Sequence, residues 1–588
     1  VTACASVPGM QRGDPSTVRL ETSGLRVSKD AGVELPAATR ALVRLLEEVQ
    51  TEHFEQLAQP EDDTPAYYIG YDVLDTRVRW ISARSGATVE DSMERSRTLD
   101  VDVRVGSRAL DNGNPSAGYE RNGLGVGATL PLDPAPLALR QRIWEVTDAQ
   151  YAAALEAYAQ VSSEVQLQGS TESLPADFGP PIPRGHHVWS APSDVGPAWS
   201  RWRTRVEELS AFLEEDPSVL TASVSLQLVE RVHHVVDTDG GRAVFAKTGV
   251  RLSMEVSAQA DDGMLLDRFM SFDGQDLDDL PDEPVLNDEA LRLRREVVAL
   301  RGAALAEPFS GPAILDGRAA AVFFHEVFGH RLEGHRQRSR AEGQTFARMI
   351  GEQVLPAFLN VVDDPTATHL NGNPLAGHYL IDDEGIPSEQ VTLVTDGVLR
   401  DFLRSRAPVD VGDRSNGHGR RAPGYQTVAR QGNLIVSANA TVSEDDLRDA
   451  LLKLVRRQGK PYGLWFKEIV GGYTTTERSG AQAFEVLPVI VYRVYADGRP
   501  DELVRGVDMV GTPLSALETI LAAGDRVEVF NGVCGAESGW VPVSASSPAL
   551  LLQQLEIERS DRELERPPLL VPPPRSSQDG RESLEAAP

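Results

Sequence analysis

The pattern of apolar and polar residues divides the first half of the chain into alternating helical and extended segments. Apolar residues at helical spacing predict helices at 37–57, 137–165, 198–215 and 287–306. Alternation with a period of two predicts strands at 67–83, 98–105, 222–236 and 243–258. Residues 170–196 are rich in Pro, Gly and Ser, and this composition is typical of a surface loop.

The second half of the chain is predicted to be richer in strands. Predicted strands lie at 391–403, 432–438, 484–496 and 527–530, and predicted helices lie at 444–458 and 513–523. Strands and helices do not alternate as a βαβ series requires, so the pattern predicts an α+β fold rather than a doubly wound sheet.

These patterns suggest a division of the chain into two domains and two tails. An N-terminal α/β-layered domain, which can contain two subdomains, is predicted at 35–300, and a strand-rich C-terminal domain at 301–558. Residues 1–34 are polar, which predicts a tail or a loosely held strand. Residues 559–588 are charged and then proline-rich, which predicts disorder.

Composition narrows the class of protein. With 58 Lys+Arg against 88 Asp+Glu, the net charge is −30. Nucleic-acid binding requires a basic footprint, and none stands out, so we expect no nucleic-acid partner. A hydrophobic content of 41% is ordinary for a globular protein, and no apolar run of about 18 residues predicts a transmembrane helix.

The N-terminus leaves two predictions of location open. Val1–Cys4 resembles the end of a bacterial lipoprotein cleavage site, but the basic and apolar regions that precede such a site are missing. A cytoplasmic location is predicted, and the cell envelope is the alternative if a signal is truncated. His186-His187 is predicted to be solvated on a loop, and His233-His234 to lie one on each face of a strand.

The strongest candidate for chemistry is a histidine–glutamate motif on a predicted helix that begins after Asp316 and ends at Gly334. His325 and His330 bracket Glu326 at i and i+5, roughly 140° apart on a regular helix. A widened, π-type turn near Gly329 would bring both imidazoles to one metal ion. Glu326 shares a face with His330, where a carboxylate suits the general base that activates a metal-bound water.

Two histidines are one ligand short of a catalytic zinc site, which usually has three protein ligands. Cys534 lies in a glycine-flanked segment predicted to be a turn after the strand 527–530, where a thiolate can approach a metal. The alternative is a small buried apolar residue, a common role of free cysteine. The residue types alone leave both interpretations open.

Several ordered motifs resemble the TldD/PmbA family of metalloproteases, formerly grouped as modulators of DNA gyrase. The resemblance is close over roughly 300–558 and looser over about 35–300, where 99–106 is the best segment. The segments that resemble family motifs are His325–Gly334, Val362–Asp364, Asp382–Pro387, Gly417–Arg421, Ser479-Gly480 and Val533–Gly535.

The resemblance implies that His325, His330 and Cys534 bind Zn²⁺ and that Glu326 is the catalytic base. It also implies the TldD-like active type of subunit, because the partner type lacks the metal motif. Family members act as dimers, so a homodimer, or a heterodimer with a related subunit, is expected.

Four further residues are candidates for supporting roles. Glu333 would orient a ligand histidine, or it is a surface charge. Arg420 and Arg421 would hold a substrate carboxylate or the oxyanion, or they pair with acidic residues. His418 would stabilise the same oxyanion.

The sequence therefore predicts a zinc-dependent peptidase that cleaves unfolded or extended peptides, with docking by addition of a strand as a natural mode. Two alternatives remain: another zinc amidohydrolase, and a non-catalytic modulator or binding subunit that keeps the motif without turnover.

Overall fold

The structure of the protein is a computed structural model. It describes residues 16–23, 27–29, 35–59, 64–115, 127–168, 175–181, 186–188, 195–339, 342–476 and 484–560. No helix in these ranges is long and apolar enough to cross a membrane. Cys4, Ser479-Gly480 and the predicted disordered tail beyond residue 560 lie outside the described residues.

The helices of the described residues are α1 Ala37–Leu57, α2 Pro136–Gln168, α3 Gly196–Leu213, α4 Glu283–Arg301, α5 Gly317–Val327, α6 His335–Arg338, α7 Glu444–Gln458 and α8 Pro513–Glu518. Short 3₁₀ turns lie at Leu277–Asp279 and Gly329–Leu332.

The strands of the first half are β1 Leu20–Thr22, β2 Ser28–Lys29, β3 Ala66–Arg84, β4 Ala87–Ser107, β5 Leu110–Asp111, β6 Ala128–Thr129, β7 His186–Val188, β8 Val219–Asp237, β9 Arg242–Gln259, β10 Leu265–Gly274, β11 Ala304–Leu305 and β12 Phe309–Leu315. Those of the second half are β13 Leu359–Asp363, β14 Ala367–Leu370, β15 Asn373–Pro374, β16 Val391–Thr395, β17 Val398–Leu399, β18 Gly419–Arg420, β19 Val428–Ala429, β20 Asn433–Ala438, β21 Gly463–Thr474, β22 Phe484–Val494, β23 Glu502–Arg505, β24 Val507–Gly511, β25 Ile520–Ala536 and β26 Gly539–Arg559.

The N-terminal part is built on one large sheet with two different faces. Its long strands pair antiparallel in the order β9-β8-β3-β4, and β10 extends the sheet beyond β9. Alternate residues of β3 and β8, such as Tyr71, Ile81 and Val236, are buried in apolar clusters with the helices. Helices α1 and α2 cover one end of that face, and α3 and α4 cover the other. The opposite face carries polar residues and points toward the C-terminal part.

The C-terminal part is a larger mixed sheet packed between helices. β12 pairs parallel with β21 and antiparallel with β26, which places these strands at the centre of the sheet. Leu315 and Leu550 face α5 in the largest apolar cluster, whereas Ile314 and Leu551 face α7. Because consecutive strand residues point to opposite faces, one strand pair can support helices on both sides. Helices on both faces of one sheet and on one face of the other confirm the α+β prediction.

Two local predictions are wrong. The loop predicted at 170–196 contains β7, which pairs with β2 and β9. The helix predicted at 513–523 ends at Glu518, and β25 begins at Ile520. In the N-terminal segment, for which a tail or a loosely held strand was predicted, β1 pairs with β14 and Ser16 donates a hydrogen bond to the carbonyl oxygen of Ala438.

Candidate metal centre

Helix α5 carries the first candidate ligand into the interior of the C-terminal part. It follows β12 after a single residue, Asp316, whose extended backbone forms the N-cap. The Asp316 carboxylate accepts a hydrogen bond from Trp465 Nε1 (2.6 Å) rather than capping the helix amides. Residues 319–324 are apolar and buried, and this helix packs against β21, β25 and β26. His325 and Glu326 occupy its last turn.

The structure brings His325, His330 and Cys534 together. One potential ligand atom from each of the three lies within 4.8 Å of the others. The sulfur of Cys534 is 3.4 Å from His330 Nε2, and the two imidazole rings are 4.8 Å apart between centroids at 73°. All three side chains are buried. Residues some two hundred positions apart in sequence therefore meet at one point.

The helix does not widen into a π-turn between the two histidines, as the spacing suggested. It ends at Val327, well before Gly334, and the chain tightens into the 3₁₀ turn that contains His330. The change of helical pitch after Phe328 turns His330 toward His325. Gly329 allows the backbone to lie close to the Gln431 side chain, because an added Cβ would lie 2.0 Å from Gln431 Oε1.

Cys534 lies inside a strand, not in a turn. Strand β25 continues to Ala536, and Cys534 pairs with Val541 of β26. Gly532 and Gly535 leave room for aromatic rings, since an added Cβ would lie 2.8 Å from the ring of Phe530 and 2.9 Å from that of Trp540. The rigid hairpin, rather than a mobile turn, fixes the sulfur.

The charge distribution favours a thiolate at Cys534. Although burial alone would raise it, the pKa of Cys534 lies well below its usual range because His330 and His325 face the sulfur. Burial alone would likewise lower the pKa of His330, but the carboxylate of Glu333 and the sulfur of Cys534 hold it well above its usual range. A thiolate is the form of cysteine that binds metals.

Glu333 lies behind the candidate ligands and is fully buried. Its Oε2 is 3.1 Å from His330 Nδ1 and accepts a hydrogen bond from Arg336 Nε (3.0 Å). Arg430 Nε lies 3.3 Å from Oε1. Although burial opposes it, these cations hold the pKa of Glu333 well below its usual range. The geometry is that of a carboxylate orienting an imidazole whose other nitrogen faces the site.

The donor set suits a transition metal. Two imidazoles and a thiolate are ligands that zinc accepts, and three protein ligands leave a position open, as in catalytic zinc sites. The buried Nδ1 of His325 has no hydrogen-bond partner among the described residues. An uncompensated buried nitrogen is costly, so a partner for this imidazole is expected. These residues fit the zinc that their chemistry implies.

The candidate site opens into a cleft of about 990 Å³. Three segments form its walls: the end of β21 with the residues that follow it (468–476), the end of β25 with the residue that follows it (530–537), and 269–271 of β10. Glu326 lines this cleft, with Oε2 3.8 Å from His330 Nε2. At Gly472 an added Cβ would lie 3.0 Å from Glu326 Cγ, so β21 passes close to this carboxylate.

The other predicted site residues lie elsewhere. His418 is fully buried; its Nδ1 is 3.1 Å from the Asn416 carbonyl oxygen, and its Nε2 is 3.3 Å from Asp363 Oδ1. Arg420 donates to the carbonyl oxygen of Gln431 (2.7 Å). Arg421 pairs with Asp72 on the N-terminal sheet (3.1 Å). Both arginines line a second cavity rather than the cleft with the histidines.

Two other aspartates of the motifs, Asp363 and Asp382, accept hydrogen bonds from backbone amides. Asp363 accepts hydrogen bonds from the amides of Gly432 and Asn433, and Asp382 accepts them from Glu384, Ile386 and Gly419. These carboxylates satisfy buried N–H groups in the loops beside the site.

Sequence reasoning missed several residues that support the site. Arg430 donates to the carbonyl oxygen of Cys534 (2.9 Å), and Gln431 contacts that of His325 (3.4 Å). Arg331 donates to the carbonyl oxygens of Glu326 and Val327, both at 3.0 Å. Arg331 lies inside the motif His325–Gly334, so its supporting role could have been predicted from its position. Arg430 and Gln431 are distant in sequence and carry no local signal.

His233 and His234 are both buried on β8. His233 Nδ1 is 3.0 Å from Asp72 Oδ2 and the ring stacks on Phe245, whereas His234 Nδ1 is 3.0 Å from the Val73 carbonyl oxygen. Neither joins a cluster of three potential metal ligands among the described residues. For His186 and His187 the structure describes the backbone alone, in β7.

Comparison with known proteins places these features in a family. Residues 309–559 match the family model of the PmbA/TldA metallopeptidase C-terminal domain. A metalloprotease TldD homolog of Haemophilus influenzae is 28% identical over 352 residues, which cover 58% of this chain and 68% of that protein. A metalloprotease of Archaeoglobus fulgidus is 29% identical over 243 residues, which cover 40% of this chain and 51% of that protein.

Solved structures share the fold at low identity. A protein from Thermotoga maritima, described as a modulator of a DNA gyrase, superimposes with a TM-score of 0.56 at 15% identity, covering 87% of this chain and 100% of that chain. TldE from Thermococcus kodakarensis gives a TM-score of 0.55 at 14% identity, covering 89% and 100%.

The names of the sequence relatives support a metallopeptidase function at the level of the family. One relative, from Saccharolobus solfataricus, is named a zinc metalloprotease at 25% identity over 247 residues, which cover 42% of this chain and 51% of that protein. Over residues 309–559 the chain has the C-terminal domain of the PmbA/TldA metallopeptidase family.

Proposed function

We propose that the protein is a zinc-dependent peptidase of the TldD-like, active type, which cleaves unfolded or extended peptides. The observation that carries the proposal is the convergence of His325, His330 and Cys534 within 4.8 Å at the base of an open cleft. A subunit that only binds partners would have no need of three buried candidate ligands beside a carboxylate that lines an open cleft.

Different residues of the chain would bind the metal, orient a ligand and transfer the proton. His325, His330 and Cys534 would hold zinc, and Glu333 would fix the ring of His330 through its Nδ1. Zinc, when bound, supplies Lewis-acid activation of water and of a carbonyl group. Glu326 would take a proton from the attacking water at its carboxylate and return it to the leaving amine.

Glu326 is positioned for this exchange of protons. Its carboxylate is largely buried, yet it lines the cleft and has no hydrogen-bond donor within bonding distance among the described residues. A base that is not already occupied by a donor can accept the proton of a substrate water.

The cleft suits an extended peptide. Among the described residues, 468–474 of β21 pair with β22 alone, and 530–536 of β25 pair with β26 alone. Each strand therefore offers a free edge along the cleft. A peptide could add to such an edge through main-chain hydrogen bonds, which do not depend on its sequence.

We also propose that the protein acts as a dimer, either with itself or with a related subunit. Two likenesses support this proposal. The fold resembles that of the solved structure of TldE, and the sequence resembles those of the TldD relatives.

The substitution Glu326→Gln tests the proposal. We expect it to retain zinc, because Glu326 is not among the three ligands, and to lose peptide cleavage by at least about a hundredfold, the usual effect of removing a general base. Zinc is measured by mass spectrometry of the purified protein, and cleavage with a panel of unstructured peptides. Glu352→Gln, at an exposed glutamate outside the cleft, is the matched control.

Unchanged cleavage by Glu326→Gln would refute the proposed role of this residue. Hydrolysis of N-acyl amides without hydrolysis of peptides would instead favour another zinc amidohydrolase. Zinc-loaded wild-type protein that cleaves neither class of substrate would favour a modulator subunit.

A further inference from the structure

A second cavity, of about 330 Å³, lies between the polar face of the N-terminal sheet and the C-terminal part. The N-terminal wall is built from β3, β8, β9 and β10, and the opposite wall from 375–383, 420–423 and the β25–β26 hairpin. Its volume is within the range of about 300–1,000 Å³ typical of ligand pockets.

Basic residues outnumber acidic ones in the lining of this cavity, unlike in the whole chain. Five arginine or lysine side chains and four aspartates line it, although acidic residues outnumber basic ones 88 to 58 overall. All four aspartates already have cationic partners. Arg421 pairs with Asp72 (3.1 Å) and Asp100 (3.4 Å). Asp273 pairs with Arg251 (2.6 Å), and Asp383 pairs with Lys247 (2.8 Å).

Two of the five cations, Arg231 and Arg420, have no aspartate partner among the described residues. The Arg231 side chain has no hydrogen bond or ion pair within the described residues; the influence of Asp383 on it is a longer-range one. Arg231 on β8 lies directly opposite Lys247 on β9. Like charges at directly opposed positions of an antiparallel pair destabilise a sheet. Burial lowers the pKa of Arg231. Lys247 already pairs with Asp383, so an anion beside Arg231 would supply the counter-charge that this guanidinium lacks.

Two further donors in the cavity wall lack acceptors. The hydroxyl group of Tyr379 and Nε of Arg420 are both buried without a hydrogen-bond partner among the described residues. Tyr379 is 2% exposed and Arg420 5% exposed, so solvent does not compensate for them. The Arg420 guanidinium stacks over the Tyr379 ring at 4.7 Å, which places both groups side by side. Unsatisfied buried donors are rare and call for an explanation.

The cavity adjoins the cleft that contains the candidate metal ligands. Arg251, Val533 and Trp540 line both. Val533 precedes Cys534 in the chain, and Trp540 pairs with Gly535 across the hairpin. An extended peptide advances about 3.3 Å per residue. A peptide lying across the cleft could therefore place a group a few residues from the scissile bond in this cavity.

We propose that this cavity is a specificity subsite that binds a carboxylate of the peptide substrate, with Arg231, Arg420 and the Tyr379 hydroxyl as its donors. The carboxylate can be an acidic side chain or the free C-terminus of the peptide. The subsite deepens the proposed function and rests on it, since it assumes that a peptide occupies the cleft.

The test measures binding rather than turnover. Fluorescently labelled ten-residue unstructured peptides, each with one Glu scanned along the sequence, are compared with their Gln counterparts, and free C-termini with amidated ones. Anisotropy titrations use the full chain carrying Glu326→Gln. At one position or at the C-terminus, the carboxylate peptide is expected to bind roughly tenfold or more tightly, the usual effect of a hydrogen bond to a charged group.

Further substitutions in the Glu326→Gln protein locate this preference. Arg231→Gln is expected to bring the affinity ratio close to one, and Tyr379→Phe to reduce it. Arg242→Gln, which removes an arginine of β9 outside the cavity and paired with Glu47, is expected to keep it. Arg231→Gln should fold with an unchanged or higher Tm, because it relieves the opposition to Lys247. If it does not fold, Tyr379→Phe, which removes one unpaired hydroxyl, decides the question.

Equal affinities for every carboxylate and neutral pair, absence of binding by all peptides, or a ratio left unchanged by Arg231→Gln and Tyr379→Phe would overturn the subsite. Failure of the peptidase proposal itself would look different: Glu326→Gln would continue to cleave the peptides.

Discussion

At the scale of single residues, the candidate site depends on how buried charges are compensated. Glu333 is the clearest case, because one fully buried carboxylate contacts His330, Arg336 and Arg430. The sequence placed Glu333 near the ligands, but it could not show whether the side chain points inward. Its orientation depends on Arg430, almost a hundred positions later in the chain.

Glu333→Gln should weaken zinc binding by about 10–100-fold, because His330 loses the negative charge that orients its ring. The affinity is measured by competition with a chromogenic chelator. Glu342→Gln is the matched control, since Glu342 also contacts Arg336 (3.0 Å) but is not a partner of His330. The control is expected to bind zinc like the parent protein. Equal losses of affinity in both variants would show that Glu333 acts through Arg336 alone.

At the scale of secondary-structure elements, the strongly amphipathic segments were predicted well. The predicted helices at 37–57 and 444–458 coincide with α1 and α7. Helix α7 has clear local signals: its Ser443 cap accepts a hydrogen bond from the Asp446 amide, and Gly459 adopts a left-handed conformation at its end. Boundaries of this kind are set by neighbouring residues, so the sequence contains them.

Two of the elements that were missed have segments buried on both faces. No prediction covered β21 or most of β26, although β26 lies at the centre of the large sheet. Residues 549–552 of β26 form a continuous apolar run because both sides of the strand contact helices. Such a run lacks the period of two that identifies a half-exposed strand. The 3₁₀ turn at His330 was also missed. Its close packing depends on Gln431, about a hundred positions later in the chain, which the local sequence does not show.

Gly329→Ala tests whether this turn is shaped by Gln431. An added Cβ would collide with the buried Gln431 side chain, so we expect the free energy of unfolding to fall by about 1–3 kcal/mol. In a Gln431→Ala background the same substitution should cost much less, because the obstacle is gone. Thermal unfolding of the four proteins of the cycle gives both values. Equal costs in the two backgrounds would mean that Gly329 is required for another reason.

At the scale of the whole molecule, buried ion pairs join the N-terminal sheet to the C-terminal part. Arg268 of β10 is fully buried and pairs with Glu468 of β21 (2.5 Å) as well as with Glu296 of α4 (2.6 Å). Glu468 also lines the cleft beside the candidate metal ligands. Charges that meet only after the two parts dock cannot be paired from sequence, so the partners of Arg421 on the N-terminal sheet, Asp72 and Asp100, could not be predicted.

Arg268→Met should destabilise the protein by less than the roughly 3–5 kcal/mol of a buried pair broken outright, because Glu468 loses one of two arginine partners and keeps Arg292 (3.0 Å). The double variant Arg268→Met/Glu468→Met should be more stable than Arg268→Met, since it removes the buried carboxylate that has lost this partner. The comparison is made by thermal unfolding. A double variant that is less stable than the single one would show that the pair stabilises the contact between the two parts.

The proposed function depends on the binding of one zinc ion by His325, His330 and Cys534. X-ray absorption at the zinc edge of the metal-loaded protein tests it most directly, because it reports the ligand atoms without depending on activity. We expect one sulfur neighbour at about 2.3 Å and nitrogen or oxygen neighbours at about 2.0–2.1 Å, with the sulfur contribution lost in Cys534→Ser. A zinc site without sulfur, or a protein that retains no metal, would contradict the account.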